Sequence, residues 1–215
     1  MTGADDHPDH PPAQRVGVFG GTFDPVHNGH IAVAQHVLQA MDLDTMLMVP
    51  AGDPYMRSEG PVADAAHRVA MLEAAVADAP GLTISTVDVD RPGPTYSIDT
   101  IEDLKTHFGS DTEYFLVVGA DSLNALPRWK DVDRLVKEST LVVVGRPGAD
   151  KREAMPPGHP AKNATFIKGP MVDVSATEIR RRLAAGQPVT GMIPEPVEDY
   201  IKSHGLYGPA AEDQE

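Results

Sequence analysis

The stretch GVFGGTFDPVHNGHIAVAQHV covers residues 17–37 and decides the fold. Its first residues are apolar, as in a buried strand, and its last residues repeat apolar side chains at helical spacing. Between the two patterns lie a glycine pair, Gly20 and Gly21, and two histidines, His27 and His30. The stretch therefore predicts a strand, a tight turn and a helix that begins beside two histidines.

The composition restricts the classes of protein to which the chain can belong. Of the 215 residues, 18 are Lys or Arg and 32 are Asp or Glu, so the formal net charge is −14. This charge argues against general binding to nucleic acid or to anionic membranes, which requires clustered basic side chains. Because cysteine is absent, disulfides and thiolate metal sites are excluded. The N-terminus lacks the apolar core of a signal peptide, and we expect a cytoplasmic protein.

Polar segments at both ends frame one predicted domain. Residues 1–14 are rich in Asp, His and Pro, and residues 209–215 are polar, so both segments are predicted to be disordered tails. Residues 15–208 are then a single domain of ordinary size. Within it, the prolines, glycines and charges of residues 147–162 predict a loop.

Apolar runs of strand length alternate with helical patterns along this domain. The predicted strands are Arg15–Phe19, Thr45–Val49, Leu82–Val89, Glu113–Val118, Leu141–Val144 and Thr165–Ile167. The predicted helices are Gly29–Met41, Ala63–Ala77, Ser97–Phe108, Asp131–Lys137, Ala176–Ala185 and Pro196–His204. This alternation predicts an α/β fold with a doubly wound, mostly parallel, Rossmann-like sheet and a small C-terminal helical extension. Ligands of such sheets bind beyond the carboxyl ends of the strands.

The glycine pair and the two histidines favour a phosphate site beyond the first strand. Backbone N–H groups at a helix start attract anions, and a spacing of three residues places His27 and His30 on one side of the first turn. Asn28 is predicted to cap this helix. A zinc site would need further ligands without any thiolate, and the dinucleotide pattern G-x-G-x-x-G is missing. The histidines could also merely cap and pack.

Later segments offer further ligand groups at strand and helix ends. Ser175 and Thr177 open a predicted helix with Arg180 one turn later, an arrangement that could clamp phosphates or simply cap the helix. Asp121 follows a predicted strand and could bind ribose hydroxyls or cap a helix. Trp129 is the only tryptophan, and it could stack on a ligand ring or anchor packing.

Two of these segments resemble the motifs of a known superfamily. Gly20-Gly-Thr-Phe-Asp-Pro-Val-His-Asn-Gly-His30 resembles the signature of the nucleotidyltransferases whose motif contains His-x-Gly-His. Ser175-Ala-Thr-Glu-Ile-Arg180 resembles their second motif, in which Ala176 here replaces the commoner serine. The first motif is specific for the superfamily but does not identify the substrate.

Further segments resemble the nicotinate-nucleotide adenylyltransferase family, and together the resemblance covers roughly residues 15–207. The segments are Ala66–Met71, Arg91–Thr100, Gly119–Leu123 with Trp129, Arg146–Gly148 and the chain end from Ile193 to Tyr207. One departure lies at residues 50–57, where the family often has Pro-x-x-x-Pro-Pro-His-Lys. This chain has Pro-Ala-Gly-Asp-Pro-Tyr-Met-Arg there, which replaces the lysine with Arg57.

The resemblance implies a role for each matching residue. The implied catalytic residues are His27, His30 and Arg180. The implied ATP-binding residues are Gly20, Gly21, Thr22, Phe23, Gly119, Asp121, Ser175 and Thr177. The residues implied to bind nicotinate mononucleotide are Arg57, Thr95, Tyr96, Trp129 and Arg146. No metal site made of protein side chains is implied, because Mg²⁺ should arrive with ATP and be held by phosphates and water.

The implied reaction is adenylyl transfer from ATP to nicotinate mononucleotide, which gives deamido-NAD and pyrophosphate in NAD biosynthesis. The mononucleotide phosphate would attack the α-phosphorus in line, so positioning and electrostatic stabilisation would suffice. The alternatives are nicotinamide mononucleotide or phosphopantetheine as the acceptor, or a non-catalytic nucleotide-binding module. The expected partners are ATP and nicotinate mononucleotide, with no nucleic acid and no membrane; a homo-oligomer is left open.

Overall fold

A computed structural model of the chain describes residues 14–54, 60–109, 111–145 and 155–208. Within these residues six strands form one parallel sheet. They are β1 (Arg15–Gly21), β2 (Thr45–Pro50), β3 (Leu82–Ile84), β4 (Glu113–Gly119), β5 (Thr140–Gly145) and β6 (Thr165–Lys168). The order across the sheet is β3-β2-β1-β4-β5-β6. This is the doubly wound order, in which the winding reverses between β1 and β4. The predicted fold class is confirmed.

Helices cover both faces of this sheet. In the described residues they are α1 (Asn28–Ala40), α2 (Ala65–Val76), α3 (Val87–Asp90), α4 (Ser97–Phe108), α5 (Val132–Glu138), α6 (Ala176–Ala184) and α7 (Glu195–Ser203). Successive strand residues point to opposite faces. Met48 and Val117 therefore pack with α1, α2, α6 and α7, while Leu47 and Leu116 pack with α4 and α5. The C-terminal extension α7 lies against α2.

The predicted strand Leu82–Val89 is only partly correct. Leu82–Ile84 forms β3, but Val87–Asp90 turns into the short helix α3. Polar side chains explain the change, because the Thr86 hydroxyl donates to the Asp90 carboxylate at 2.7 Å and closes a local turn. The other predicted elements lie close to their predicted bounds.

Several predicted segments lie wholly or partly outside the described residues. Residues 1–13 and 209–215 belong to the predicted tails, and neither Arg57 nor Arg146 is described. Gln14 is described, and its carbonyl accepts the N–H of Glu113 at 2.8 Å. In the predicted loop 147–162, the described part begins at residue 155 and enters a short 3-10 turn. No helix in the described ranges has the length and apolar character needed to cross a membrane.

Candidate active site

A cleft opens at the point where the winding of the sheet reverses. It has a volume of about 130 Å³ and is lined by the carboxyl-terminal halves of β1 and β4. The lining residues are Val18, Gly20, Gly21, Ala51, Asp88, Thr95, Ser97, Thr100, Leu116 and Val117. A Cβ atom built at Gly20 would meet no other atom within 4 Å, so the glycine leaves open space at the strand end. Ligands of doubly wound sheets bind at this position.

The two histidines form a reciprocal cap at the start of α1. The Nδ1 atom of His27 accepts the backbone N–H of His30 at 3.3 Å, and the Nδ1 atom of His30 accepts the backbone N–H of His27 at 3.3 Å. The imidazole rings stack with their centroids 3.6 Å apart. The prediction that Asn28 caps α1 is wrong, because His27 is the N-cap and the Asn28 side chain donates to the Gly191 carbonyl.

This cap determines which ring nitrogen carries the proton. Since each Nδ1 accepts a backbone N–H, the proton of each neutral imidazole lies on Nε2. Burial lowers the pKa of His27 to about 4, and burial together with the neighbouring His27 lowers the pKa of His30 to about 3. Both rings are therefore neutral at pH 7, and each offers one Nε2–H donor.

Gly29 and Phe23 fix the positions of the two rings. A Cβ atom at Gly29 would lie 3.0 Å from Nδ1 of His27, so a side chain there would push the ring away. The ring of Phe23 packs edge-on against His30 with centroids 5.0 Å apart, and Phe23 is only 1% exposed. Phe23 therefore acts through its buried ring as a support for His30.

Asp24 connects the histidine loop to the C-terminal part of the chain. Its side chain is 2% exposed, and its carboxylate accepts the N–H groups of Val62 at 2.7 Å and Ala63 at 3.1 Å. The hydroxyl of Tyr207 donates to the same carboxylate at 2.6 Å. Burial, and then the hydrogen bond to Asp24, raise the pKa of Tyr207. Arg180 donates to the Asp24 carbonyl at 2.6 Å and lies 3.8 Å from its carboxylate.

Arg68 ties together the loops that follow β1 and β2. It is 1% exposed and donates to the carbonyls of Thr22 at 2.9 Å, Ala51 at 2.8 Å and Ala63 at 3.2 Å. Burial lowers the pKa of its guanidinium. Several carbonyl acceptors compensate the cost of burying this charge. Arg68 therefore holds the loops that follow β1 and β2 in place.

Thr95 shapes the entrance of the cleft between β2 and α4. Its hydroxyl accepts the N–H groups of Gly52 and Asp53, each at 3.1 Å. Its own N–H donates to the Asp53 carbonyl at 2.8 Å. The backbone and the hydroxyl of Thr95 therefore hold this loop, and its implied role in binding nicotinate mononucleotide stays a prediction.

The comparisons with known proteins agree with this geometry. The family model of cytidylyltransferase-like proteins matches residues 18–182. A protein of Roseiflexus sp. named "Probable nicotinate-nucleotide adenylyltransferase" is 40% identical over 195 residues, which are 89% of this chain and 97% of that protein. A protein of the same name from Leifsonia xyli is 42% identical over 193 residues, with 90% and 94% covered. The chain belongs to the nicotinate-nucleotide adenylyltransferase family.

Solved structures share the fold of this adenylyltransferase. The nicotinic acid mononucleotide adenylyltransferase of Plasmodium falciparum complexed with NaAD matches with a TM-score of 0.72 and 18% identity, covering 90% of this chain and 97% of that one. The same Plasmodium enzyme complexed with APC has a TM-score of 0.68, also at 18% identity. At this identity the similarity supports the fold. Family membership rests on the sequence relatives, and it makes the chain a nucleotidyltransferase of NAD biosynthesis.

The second motif of the adenylyltransferase lies beside the histidine loop. Ser175 is the N-cap of α6 and accepts the N–H of Glu178 at 3.2 Å, and its implied contact with ATP phosphates stays a prediction. Thr177 lies in the first turn of α6, and the contact between Arg180 and Asp24 brings this helix to the loop of His27. The structure therefore joins the two motifs that the sequence separates.

The remaining residues that were predicted to bind substrates lie around the cleft or outside it. Gly119 ends β4, and Asp121 lies exposed in the 3-10 turn that follows it. Lys130 lies over the ring of Tyr96, 4.7 Å from its centroid. Trp129 is half-buried and packs on the core, and it lines a surface depression beside α5 rather than the cleft. Its predicted stacking on a ligand ring stays a prediction.

The sequence analysis assigned no role to three residues that line or support the cleft. Asp88 and Thr100 line it, and the buried Arg68 holds the loops that follow β1 and β2. Thr100 lies inside Arg91–Thr100 and Arg68 inside Ala66–Met71, two segments that carried the resemblance, so both could have been found. Asp88 falls inside the part of the predicted strand Leu82–Val89 that is a helix, and it gave no signal.

No metal centre of protein side chains is found in the part of the chain that the structure describes. No three His, Asp or Glu side chains there come together to hold an ion. The buried carboxylate of Asp24 already accepts three hydrogen bonds.

Proposed function

We propose that this chain transfers the adenylyl group of ATP to nicotinate mononucleotide, with deamido-NAD and pyrophosphate as products. The observation that carries the proposal is the pair of neutral histidines at the start of α1, which offers two Nε2–H donors on the loop where Asp24 binds Arg180. Neutral donors at the end of β1 suit phosphoryl oxygens, whose charge changes during transfer. Membership of the adenylyltransferase family supports the same reaction.

The ATP phosphates belong on the side of the histidine loop. His27 and His30 donate to the α-phosphoryl region, with backbone from Gly20, Gly21, Thr22 and Phe23 around it. Ser175, Thr177 and Arg180 hold the β- and γ-phosphates at the start of α6. Gly119 and Asp121 lie beyond β4, where they bind the adenosine part.

The mononucleotide belongs in the cleft between β1, β4 and α4. Tyr96 and Ser97 lie at the start of α4, where hydroxyl and N–H donors favour the nicotinate carboxylate, with Thr95 holding the loop beneath them. Trp129 is assigned to the pyridine ring from the family pattern alone, because in this structure it lines the depression beside α5 and not the cleft. Arg57 and Arg146 are assigned to the mononucleotide phosphate from the family pattern.

The reaction requires no nucleophile from the protein. The phosphate of the mononucleotide is already an anion and attacks the α-phosphorus in line, while pyrophosphate leaves toward Arg180. Catalysis consists of holding the two phosphates together and stabilising the charge on the transferring group. The divalent metal that nucleotidyltransferases use with ATP is Mg²⁺ in this proposal, and it supplies positive charge on the phosphates.

The test is pyrophosphate release with ATP and Mg²⁺ and three acceptors offered separately: nicotinate mononucleotide, nicotinamide mononucleotide and phosphopantetheine. We expect strong preference for nicotinate mononucleotide. Equal use of the two pyridine nucleotides would retain the reaction and overturn the carboxylate assignment at α4. Turnover with phosphopantetheine alone would overturn the acceptor, and no turnover with any acceptor would overturn the proposed reaction.

A further inference from the structure

The wall of the cleft contains a buried ion pair that the proposed reaction does not use. The side chain of Asp88 is only 4% exposed, and its carboxylate accepts the Thr100 hydroxyl at 2.7 Å and the Arg91 guanidinium at 2.6 Å. Arg91 also donates to Asp103 on α4, whose side chain is 40% exposed. Both Asp88 and Thr100 line the cleft.

Asp88 is unusual among the groups around the cleft. Of the described residues that line it, Asp88 alone has a charged side chain; the polar side chains near it are the hydroxyls of Thr95, Ser97 and Thr100. A buried carboxylate acts on its surroundings more strongly than an exposed one, because little water screens it. The charge that a ligand ring meets in this cleft therefore depends on how completely Arg91 neutralises Asp88.

The two candidate pyridine ligands differ in the charge at one ring substituent. Nicotinate carries a carboxylate at pH 7, whereas nicotinamide carries a neutral amide. A negative charge in the wall raises the free energy of the bound carboxylate and leaves that of the amide nearly unchanged. A compensating cation at Arg91 has the opposite effect.

We propose that the Asp88–Arg91 pair is a specificity-determining element that sets the charge of the cleft and thereby its preference for an acidic over an amide pyridine ring. This inference rests on the proposed function, because it places the pyridine ring of the acceptor in this cleft. Arg91 keeps the wall from repelling the carboxylate, and Thr100 and Asp103 hold the pair in place.

A purely structural role makes a different prediction. Thr100 and Asp103 also tie this pair to α4, so either substitution could loosen the cleft. Loosening would lower activity toward both pyridine nucleotides by a similar factor. The ratio of the two kcat/KM values separates the roles, because the concentration of folded enzyme cancels from that ratio.

The experiment compares this ratio, nicotinate over nicotinamide mononucleotide, in the wild type, Arg91→Gln and Asp88→Asn. Removing the cation should lower the ratio, and removing the carboxylate charge should raise it. A unit charge about 10 Å away, in an effective dielectric of about 20, corresponds to a change on the order of tenfold in each direction. The double variant, which lacks both charges, should return toward the wild-type ratio.

The matched controls are Lys105→Gln and Glu138→Gln. Lys105 lies on α4, as Thr100 and Asp103 do, and makes a partly buried ion pair with Glu138 at 2.9 Å, away from the cleft. These variants should leave the ratio unchanged. If Arg91→Gln does not fold, Asp88→Asn and the double variant still test the proposal.

The outcomes separate a failure of the proposed function from a failure of the proposed role of the Asp88–Arg91 pair. If the wild type uses no pyridine mononucleotide, the proposed function fails. If the wild type prefers nicotinate mononucleotide but both substitutions leave the ratio unchanged or move it in the same direction, the role of the pair is overturned while the proposed function stands. Opposite shifts support the pair as the element that sets specificity.

Discussion

Tyr207→Phe removes one hydroxyl from the support of the histidine loop and keeps the ring. The hydroxyl donates at 2.6 Å to the carboxylate of Asp24, whose side chain is only 2% exposed. A hydrogen bond to a charged group contributes about 1.5–3 kcal/mol, and a buried acceptor lies toward the upper part of that range. Two backbone N–H groups still reach the carboxylate. We therefore expect the free energy of unfolding to fall by about 2 kcal/mol.

Denaturant unfolding followed by circular dichroism measures this loss. Tyr200→Phe is the matched control in the same C-terminal segment, because its hydroxyl meets His67 at 3.0 Å in a half-buried setting. That substitution should cost no more than about 1 kcal/mol. Equal losses in the two variants would refute the reasoning that the buried carboxylate makes the Tyr207 contact strong.

The same variant should also change catalysis. Asp24 lies three residues before His27, and its carbonyl accepts the Arg180 guanidinium. Loss of the tyrosine hydroxyl should loosen this loop and raise KM for ATP more than KM for the mononucleotide. Steady-state kinetics with each substrate varied in turn would detect the difference, and identical changes in both KM values would contradict it.

Two further predictions concern the histidine pair. His30→Ala should lower kcat in the pyrophosphate assay by about 10²–10³-fold, the usual cost of losing one donor to a transition state. The control His36→Ala, on the same helix, should keep near-native kcat. Comparable losses in both variants would exclude the role of His30. The pKa of His27 is lowered from an ordinary value near 6.5 to about 4, so the unfolded chain binds a proton more readily than the folded one. The free energy of unfolding should therefore be unaffected by this histidine above pH 6.5. It should fall by about 3 kcal/mol by pH 4, measured by urea titrations without substrate. His30 titrates in the same direction, so His30→Asn should lose less over that interval, and parallel curves for the two proteins would contradict the linkage.

The sequence was sufficient to predict the sheet and the position of the cleft. Strands such as β4 are continuous apolar runs, and α1 repeats its apolar residues at helical spacing, so local patterns determine both. The glycine pair at the end of β1 located the cleft, because the carboxyl end of a strand in such a sheet is where ligands bind.

Contacts between distant parts of the chain could not be predicted in the same way. Asp24 and Tyr207 are separated by 183 positions, and nothing local to either residue indicates the other. In the sequence Arg68 is an ordinary helical arginine, and only the fold brings four backbone carbonyls to its guanidinium. The predicted cap of α1 was wrong for a related reason. Asn28 is the better capping residue by type, but the two stacked imidazoles already accept backbone N–H groups at the start of the helix.

The contact between Tyr207 and Asp24 has a consequence for the order in which the protein becomes active during synthesis. The ribosome delivers every strand of the sheet, both histidines and Arg180 before it delivers Tyr207. A nascent chain can therefore assemble its sheet while the acidic residue under the histidine loop still lacks one of its donors. Competence for adenylyl transfer should appear last, when Tyr207, which follows the final helix α7, reaches Asp24. A chain that stops just before Tyr207 should therefore form the sheet but catalyse poorly.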